Sequence, residues 1–125
     1  MFILAQQATV QWPIKYSSPK DGGGYEQHEF KGRFKLPSQP EVDELFTRLS
    51  SAARGELGAQ AGTLDQEIVD KYFEGWPDNE VRDAQGNAIA SNPVNRKVLL
   101  ELPGMRVAVV RAFMQTLNGA AEAKN

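Results

Sequence analysis

Thr9-Val10-Gln11-Trp12-Pro13-Ile14-Lys15-Tyr16 alternates without a fault, and this alternation decides the fold. Val10, Trp12, Ile14 and Tyr16 face one way; Thr9, Gln11, Pro13 and Lys15 face the other. Period 2 in β-branched and aromatic residues marks a half-buried strand. Pro13 lacks the N–H a central ladder needs, so the strand belongs at a sheet edge or carries a bulge. Downstream, His28, Phe30, Gly32, Phe34 and Leu36 alternate with Gln27, Glu29, Lys31, Arg33 and Lys35. Between the two runs, residues 17–24, with Pro19 and Gly22-Gly23-Gly24, read as a flexible loop. The result is an antiparallel β-hairpin over about residues 9–36 with one apolar face.

A two-stranded hairpin is marginal on its own, so helices must cover that face. The remaining chain encodes about four short ones, over residues 39–118. Ser38-Gln39-Pro40-Glu41 is a capping box, in which Ser and Glu satisfy orphan amides reciprocally. Val42, Leu45, Phe46, Leu49 and Ala53 follow at helical spacing, with Glu44 and Arg48 placed to pair at i,i+4. Gly55, Gly58 and Gly62 close this helix in a loose connection. Thr63-Leu64-Asp65-Gln66 is a second capping box, opening a helix with Leu64, Ile68, Val69, Tyr72 and Phe73 that should stop at Gly75-Trp76-Pro77. Asp83-Ala84-Gln85-Gly86 predicts a type I turn within a small hairpin or ordered loop. Asn92-Pro93 then reads as an N-cap with Pro at the first helical position, opening a short helix with Val94, Val98, Leu99 and Leu102. Pro103-Gly104 breaks it, and a last helix runs from about Met105 to Asn118, with Gly119 as its stop. Residues 120–125 form a frayed tail. The expected fold is α+β: an N-terminal antiparallel hairpin packed on about four short helices, in one domain spanning residues 1–125.

Composition narrows the chemistry. The 125 residues include no Cys and one His, which excludes disulfide scaffolds, cysteine nucleophiles and sites that need two imidazoles. His28 lies on the apolar face of its strand and reads as a rim residue. An EF-hand loop starting at Asp78 fails, because Arg82 occupies a ligand position and Asp83 replaces the required Gly. Gly22-Gly23-Gly24 lies between strands, which is the wrong context for a phosphate cradle. No Gly-x-Ser-x-Gly elbow occurs. The expectation is a non-enzymatic protein with no cofactor and no metal. The apolar start, residues 1–5, is too short for a signal peptide, and no run approaches a membrane span, so a cytoplasmic location is expected.

The net charge of −2 is an average over unlike segments. Residues 1–40 carry 5 basic and 3 acidic groups, residues 41–80 carry 3 and 10, and residues 81–125 carry 6 and 3. No basic cluster is interleaved with aromatics, which disfavours nucleic acid as a partner. In the last helix Val107, Val109, Val110, Phe113, Met114 and Leu117 cover an arc of about 160°, wider than the one-sided stripe of a surface helix. This helix either packs on two sides or offers part of its face to a partner, and the width also allows a homo-oligomer. Candidate partner-binding residues are therefore Val109, Val110, Phe113 and Leu117. Arg106 joins them as a cation able to pair a partner's carboxylate, and Trp76 as an aromatic outside any periodic pattern. Trp76 also reads, and more readily, as a corner residue sealing the core.

The pattern Gly75-Trp76, Asp83-x-x-Gly86, Ser91 or Asn92 opening a helix, Leu99-Leu100, Pro103-Gly104 and Ala112-Phe113, closing on Lys124-Asn125, resembles the small tail assembly chaperones of long-tailed bacteriophages and prophages. The first half is similar in layout, with Phe30-x-x-x-Phe34-Lys35 ending the hairpin and a helix entered at Glu41 and Leu45. The resemblance implies a protein of the bacterial host cytoplasm, absent from the mature virion. Such a chaperone binds the tape measure protein, keeps it soluble and helps the tail tube protein assemble around it. It further implies a longer, −1 frameshifted form of the same chain; Ala123-Lys124-Asn125 can be encoded with the slippery heptamer A-AAA-AAC. Two rivals stay open: a structural tail or connector component, and a nucleic-acid-associated regulator using the basic C-terminal segment.

Overall fold

Strand β1 (Thr9–Pro19) and strand β2 (Tyr25–Lys35) pair antiparallel in one continuous register, with Val10 opposite Phe34, Ile14 opposite Phe30 and Tyr16 opposite His28. The structure is a computed structural model that describes residues 9–53 and 61–118. Both strands outrun their alternating sequence. Ser17, Ser18 and Pro19, expected in the loop, instead pair with Gln27, Glu26 and Tyr25. The turn shrinks to residues 20–24 because Gly22, Gly23 and Gly24 all take positive φ, which L side chains resist. Cross-strand bonds hold the extension, from Ser17 Oγ to Gln27 Oε1 at 2.7 Å and between Ser18 Oγ and His28 Nε2 at 2.8 Å.

Pro13 causes no bulge. Its partner Lys31 donates its amide away from β1, to Glu80 Oε1, so position 13 also faces outward and no ladder bond is lost. The outer edge of β2 is covered further along: Arg33 N–H donates to the Gly75 carbonyl at 2.8 Å, and Glu74 N–H donates to the Arg33 carbonyl at 2.8 Å. This pairing ends helix α2 (Ala61–Tyr72) at Tyr72, before Gly75-Trp76-Pro77, since residues 73–75 leave the helix to join the sheet. Helix α2 also starts earlier than expected, at Ala61, so Thr63 lies inside its first turn.

Helix α1 (Gln39–Ala53) opens on its capping box, with Glu41 N–H donating to Ser38 Oγ and Ser38 N–H to Glu41 Oε1, both at 3.4 Å. Arg48 passes over Glu44 and pairs with Glu67 of α2 at 2.7 Å. Helix α3 (Pro93–Leu100) opens as expected, its Asn92 cap accepting from Asn95 N–H at 2.8 Å. Helix α4 (Met105–Leu117) completes the chain of elements. The glycine-rich connection through Gly55 and Gly58, the Gly119 stop and the tail at 120–125 lie outside the described residues.

The core fills the space between the apolar face of the hairpin and helices α2 and α4. Ile14, Phe34 and Phe113 are fully enclosed. Phe34 contacts Phe73 and Phe113 with ring centroids 5.6 and 6.0 Å apart, and Tyr72 stacks on Phe113 at 4.7 Å. Such aromatic pairs add to the area they bury. Gly32 belongs in this face because a Cβ there would lie 2.5 Å from Ile14 Cδ1. Helix α4 crosses β1 and is pinned near both ends: Tyr16 OH donates to the Pro103 carbonyl at 2.8 Å, and Trp12 Nε1 donates to Gln115 Oε1 at 3.0 Å. Its wide apolar arc is thereby explained, since it packs on β1 and on α2 together. The fold is α+β, a two-stranded N-terminal hairpin against helices. Among the described residues, no helix is long and apolar enough to cross a membrane.

Candidate functional site

The motif residues of the second half converge on one structural knot. Trp76 N–H donates to Ser91 Oγ at 3.3 Å and Trp76 Nε1 to the Ile89 carbonyl at 2.8 Å. Gly75 has φ +99°, and a Cβ on it would lie 1.8 Å from Ser91 Oγ. The turn at residues 83–86 closes a small hairpin, with Gly86 N–H on the Asp83 carbonyl, Ile89 N–H on the Val81 carbonyl, and Asp83 Oδ1 accepting from both Gln85 and Asn87. Those amides, Asn87's first, hold the Asp83 carboxyl below its ordinary range. Residues 76–91 thus form a lid over the Trp76 ring.

Four candidate docking residues are consequently unavailable to a partner. Trp76, Val109, Val110 and Phe113 retain 3, 1, 9 and 0% exposure, respectively. Their apolarity serves the core between the hairpin and α2, which corrects these four from docking residues to core; Val107 of the same α4 arc stays 50% exposed. Leu117 is half-buried against the same core. Arg106 alone stands in the open, donating from Nη1 to Gln66 Oε1 at 3.0 Å.

Arg106 sits on the rim of a groove of about 770 Å³ between α2, α3 and the start of α4. Leu100 of α3 forms its apolar floor above the buried Val69 of α2 and Phe73, while Leu102 and Val107 add side chains that are 44% and 50% exposed. Arg96 and Lys97 extend the basic rim along α3. No residue of α3 is buried, and on its other side Val94 and Val98 remain 71% and 61% exposed. The hairpin, α2 and α4 already fill the core, and α3 packs outside it. One sequence signal pointed there: within eight residues α3 carries Val94 and Val98 on one side and Leu99-Leu100 on another, more than one contact face can bury.

A second, smaller hollow lies between α1 and α2, and it is electrostatically closed. Tyr72 OH donates to Glu41 Oε2 at 2.8 Å, with Lys71 Nζ at 3.3 Å from the same oxygen. The Tyr72 hydroxyl foremost, then Ser38 and the Lys71 ammonium, lower the Glu41 pKa to about 2. Burial, followed by the Glu41 bond, pushes the Tyr72 phenol up. His28 stacks on Tyr16 at the exposed end of the hairpin. Among the described residues, no group of three or more His, Cys, Asp or Glu side chains could hold a metal ion. What the geometry offers is a surface, apolar at its floor and basic at its rim. Compared with protein families, curated proteins and solved structures, the chain has no match in any of the three.

Proposed function

We propose that this chain is a non-enzymatic tail assembly chaperone of a long-tailed phage or prophage. In this reading it works in the bacterial host cytoplasm by covering apolar helical surface of the tape measure protein, keeping it soluble while the tail tube assembles. The observation that carries the reading is the groove between α2, α3 and α4, with its apolar floor and its half-exposed Leu102 and Val107. Helix-in-groove recognition needs this combination, an apolar trough open along one side. The motif resemblance supplies the identity of the helix.

Co-expression with the tape measure protein tests the proposal. The expected outcome is a soluble complex that survives co-purification and is lost in Leu102→Asp and Val107→Asp, both surface substitutions that leave the core untouched. A tape measure protein that stays insoluble, or one recovered equally with the variants, defeats the proposal. Mass spectrometry of purified particles separates it from the structural-component reading, since a chaperone is absent from virions and a tail or connector component remains in them.

A further inference from the structure

We propose that the groove prefers an amphipathic helix whose apolar stripe is bordered by carboxylates. This inference rests on the docking role proposed above for the same groove and adds the chemistry of its occupant.

The argument comes from how the molecule partners its cations. Between α1 and α2 they meet carboxylates, with Arg48 on Glu67 at 2.7 Å and Lys71 on Glu41 at 3.3 Å. At the groove they meet neutral oxygens instead. Arg106 donates to the side-chain amide of Gln66 at 3.0 Å, and Arg96 donates to the main-chain carbonyl of Glu74 at 3.2 Å. Among the described residues, Lys97 forms no ion pair. The neutral Gln66 amide leaves the Arg106 charge uncompensated, and an arriving carboxylate adds a charge–charge attraction. Gln66 is itself committed elsewhere, donating from Nε2 to Asp70 Oδ1 at 2.7 Å. That bond occupies one of the two carboxylates lining the groove; Glu101 is the other. Three cations against two carboxylates leave the rim positive in a chain whose net charge is −2.

The floor decides what kind of anion fits. Leu100, Leu102 and Val107 offer nothing to a phosphate backbone and a great deal to a stripe of Leu or Ile. Asp70 and Glu101 would repel a polyphosphate lying along the groove. An acidic-flanked helix satisfies floor and rim together.

The test titrates the intact protein with two synthetic peptides of about 20 residues, long enough to hold several helical turns. They share one Leu/Ile stripe and carry Glu or Lys at the flanking positions, and binding is read by fluorescence anisotropy. At low ionic strength the Glu-flanked peptide is expected to bind about tenfold more tightly. The gap narrows at about 0.5 M salt as the charges are screened, and the order reverses in a Lys97→Glu/Arg106→Glu double variant. Equal affinity for the two peptides in the wild-type protein, or a preference for Lys, overturns the inference. If Val107→Asp then abolishes both equal affinities, the docking role stands and the charge preference alone falls. Binding of neither peptide overturns the inference too; co-purification with the tape measure protein in that case keeps the functional reading and moves its surface elsewhere. A labelled DNA duplex that binds more tightly than either peptide makes nucleic acid the occupant and also overturns it. The decisive comparison uses the wild-type chain, so it does not depend on a variant folding.

Discussion

Helices α4 and α3 are neighbours in the chain, both rich in valine and leucine, and they have opposite fates. Helix α4 lies between the hairpin and α2 and encloses Met105, Ala108, Val109, Val110, Ala112 and Phe113. Helix α3 encloses nothing and leaves Val94 and Val98 largely in water. Apolar content does not separate them; the number of layers each one touches does. Packed layers of this size enclose one core, and the aromatic cluster of Phe34, Tyr72, Phe73 and Phe113 already occupies it. Surplus apolar residues are left at the surface, Leu100 in the groove and Val94 and Val98 on the other side of α3.

The contrast can be broken at its strongest point first. Phe113→Ala removes a ring that meets Phe34 and stacks on Tyr72, and should cost about 3–5 kcal/mol in urea denaturation. A cost below about 1 kcal/mol would mean that α4 is not the centre of the core. Gly75→Ala comes next. It places a methyl on Ser91 Oγ at a φ of +99°, with an expected loss of about 2–3 kcal/mol and a shift in tryptophan emission as the lid over Trp76 loosens.

Acid titration sharpens the contrast from the α1–α2 side. The Glu41 carboxyl is held at about 2 against an ordinary value of 4.5. Its contribution to stability is therefore complete above about pH 4.5 and fades as the pH falls toward 2, because only the charged form keeps these partners. Glu41→Gln should lower stability at neutral pH and flatten the stability curve within that acidic window; a parallel curve would refute the assignment. The smallest effect is expected on α3, where Val94→Asp with Val98→Asp should change stability by about 0.5 kcal/mol or less. A large loss there would place α3 in the core after all.

These contrasts also explain how far the sequence could be read. Val10, Trp12, Ile14 and Tyr16 reveal the hairpin because a strand exposes its burial as a period of 2, and Ser38/Glu41 and Asn92-Pro93 reveal helix starts because caps are local chemistry. Periodicity reports which residues share a face, but not whether another layer covers it. Val109, Val110 and Phe113 are therefore legible as a face, while whether that face packs on two layers or meets a partner is not, and the exposure of Val94 and Val98 is hidden for the same reason. Trp76 had no period to read, since its burial depends on the hairpin at 81–89 closing over it. Of the candidate docking residues only Arg106 reaches the groove, and its neighbours Arg96 and Lys97 are brought there by tertiary packing across α2 and α3.

The two pins on α4 carry a mechanical consequence. Tyr16 and Trp12 sit two registers apart on one face of β1 and grip opposite ends of the helix, at Pro103 and Gln115. A register shift of one residue carries a helix side chain about 1.5 Å along the axis and about 100° around it, which turns Gln115 away from Trp12. Helix α4 is thus keyed to the hairpin, and the wall bearing Arg106 and Val107 is the fixed jaw of the groove. Helix α3, which buries no residue, is expected to open at lower cost than α4, so the groove has one wall held by the core and one that rests on it.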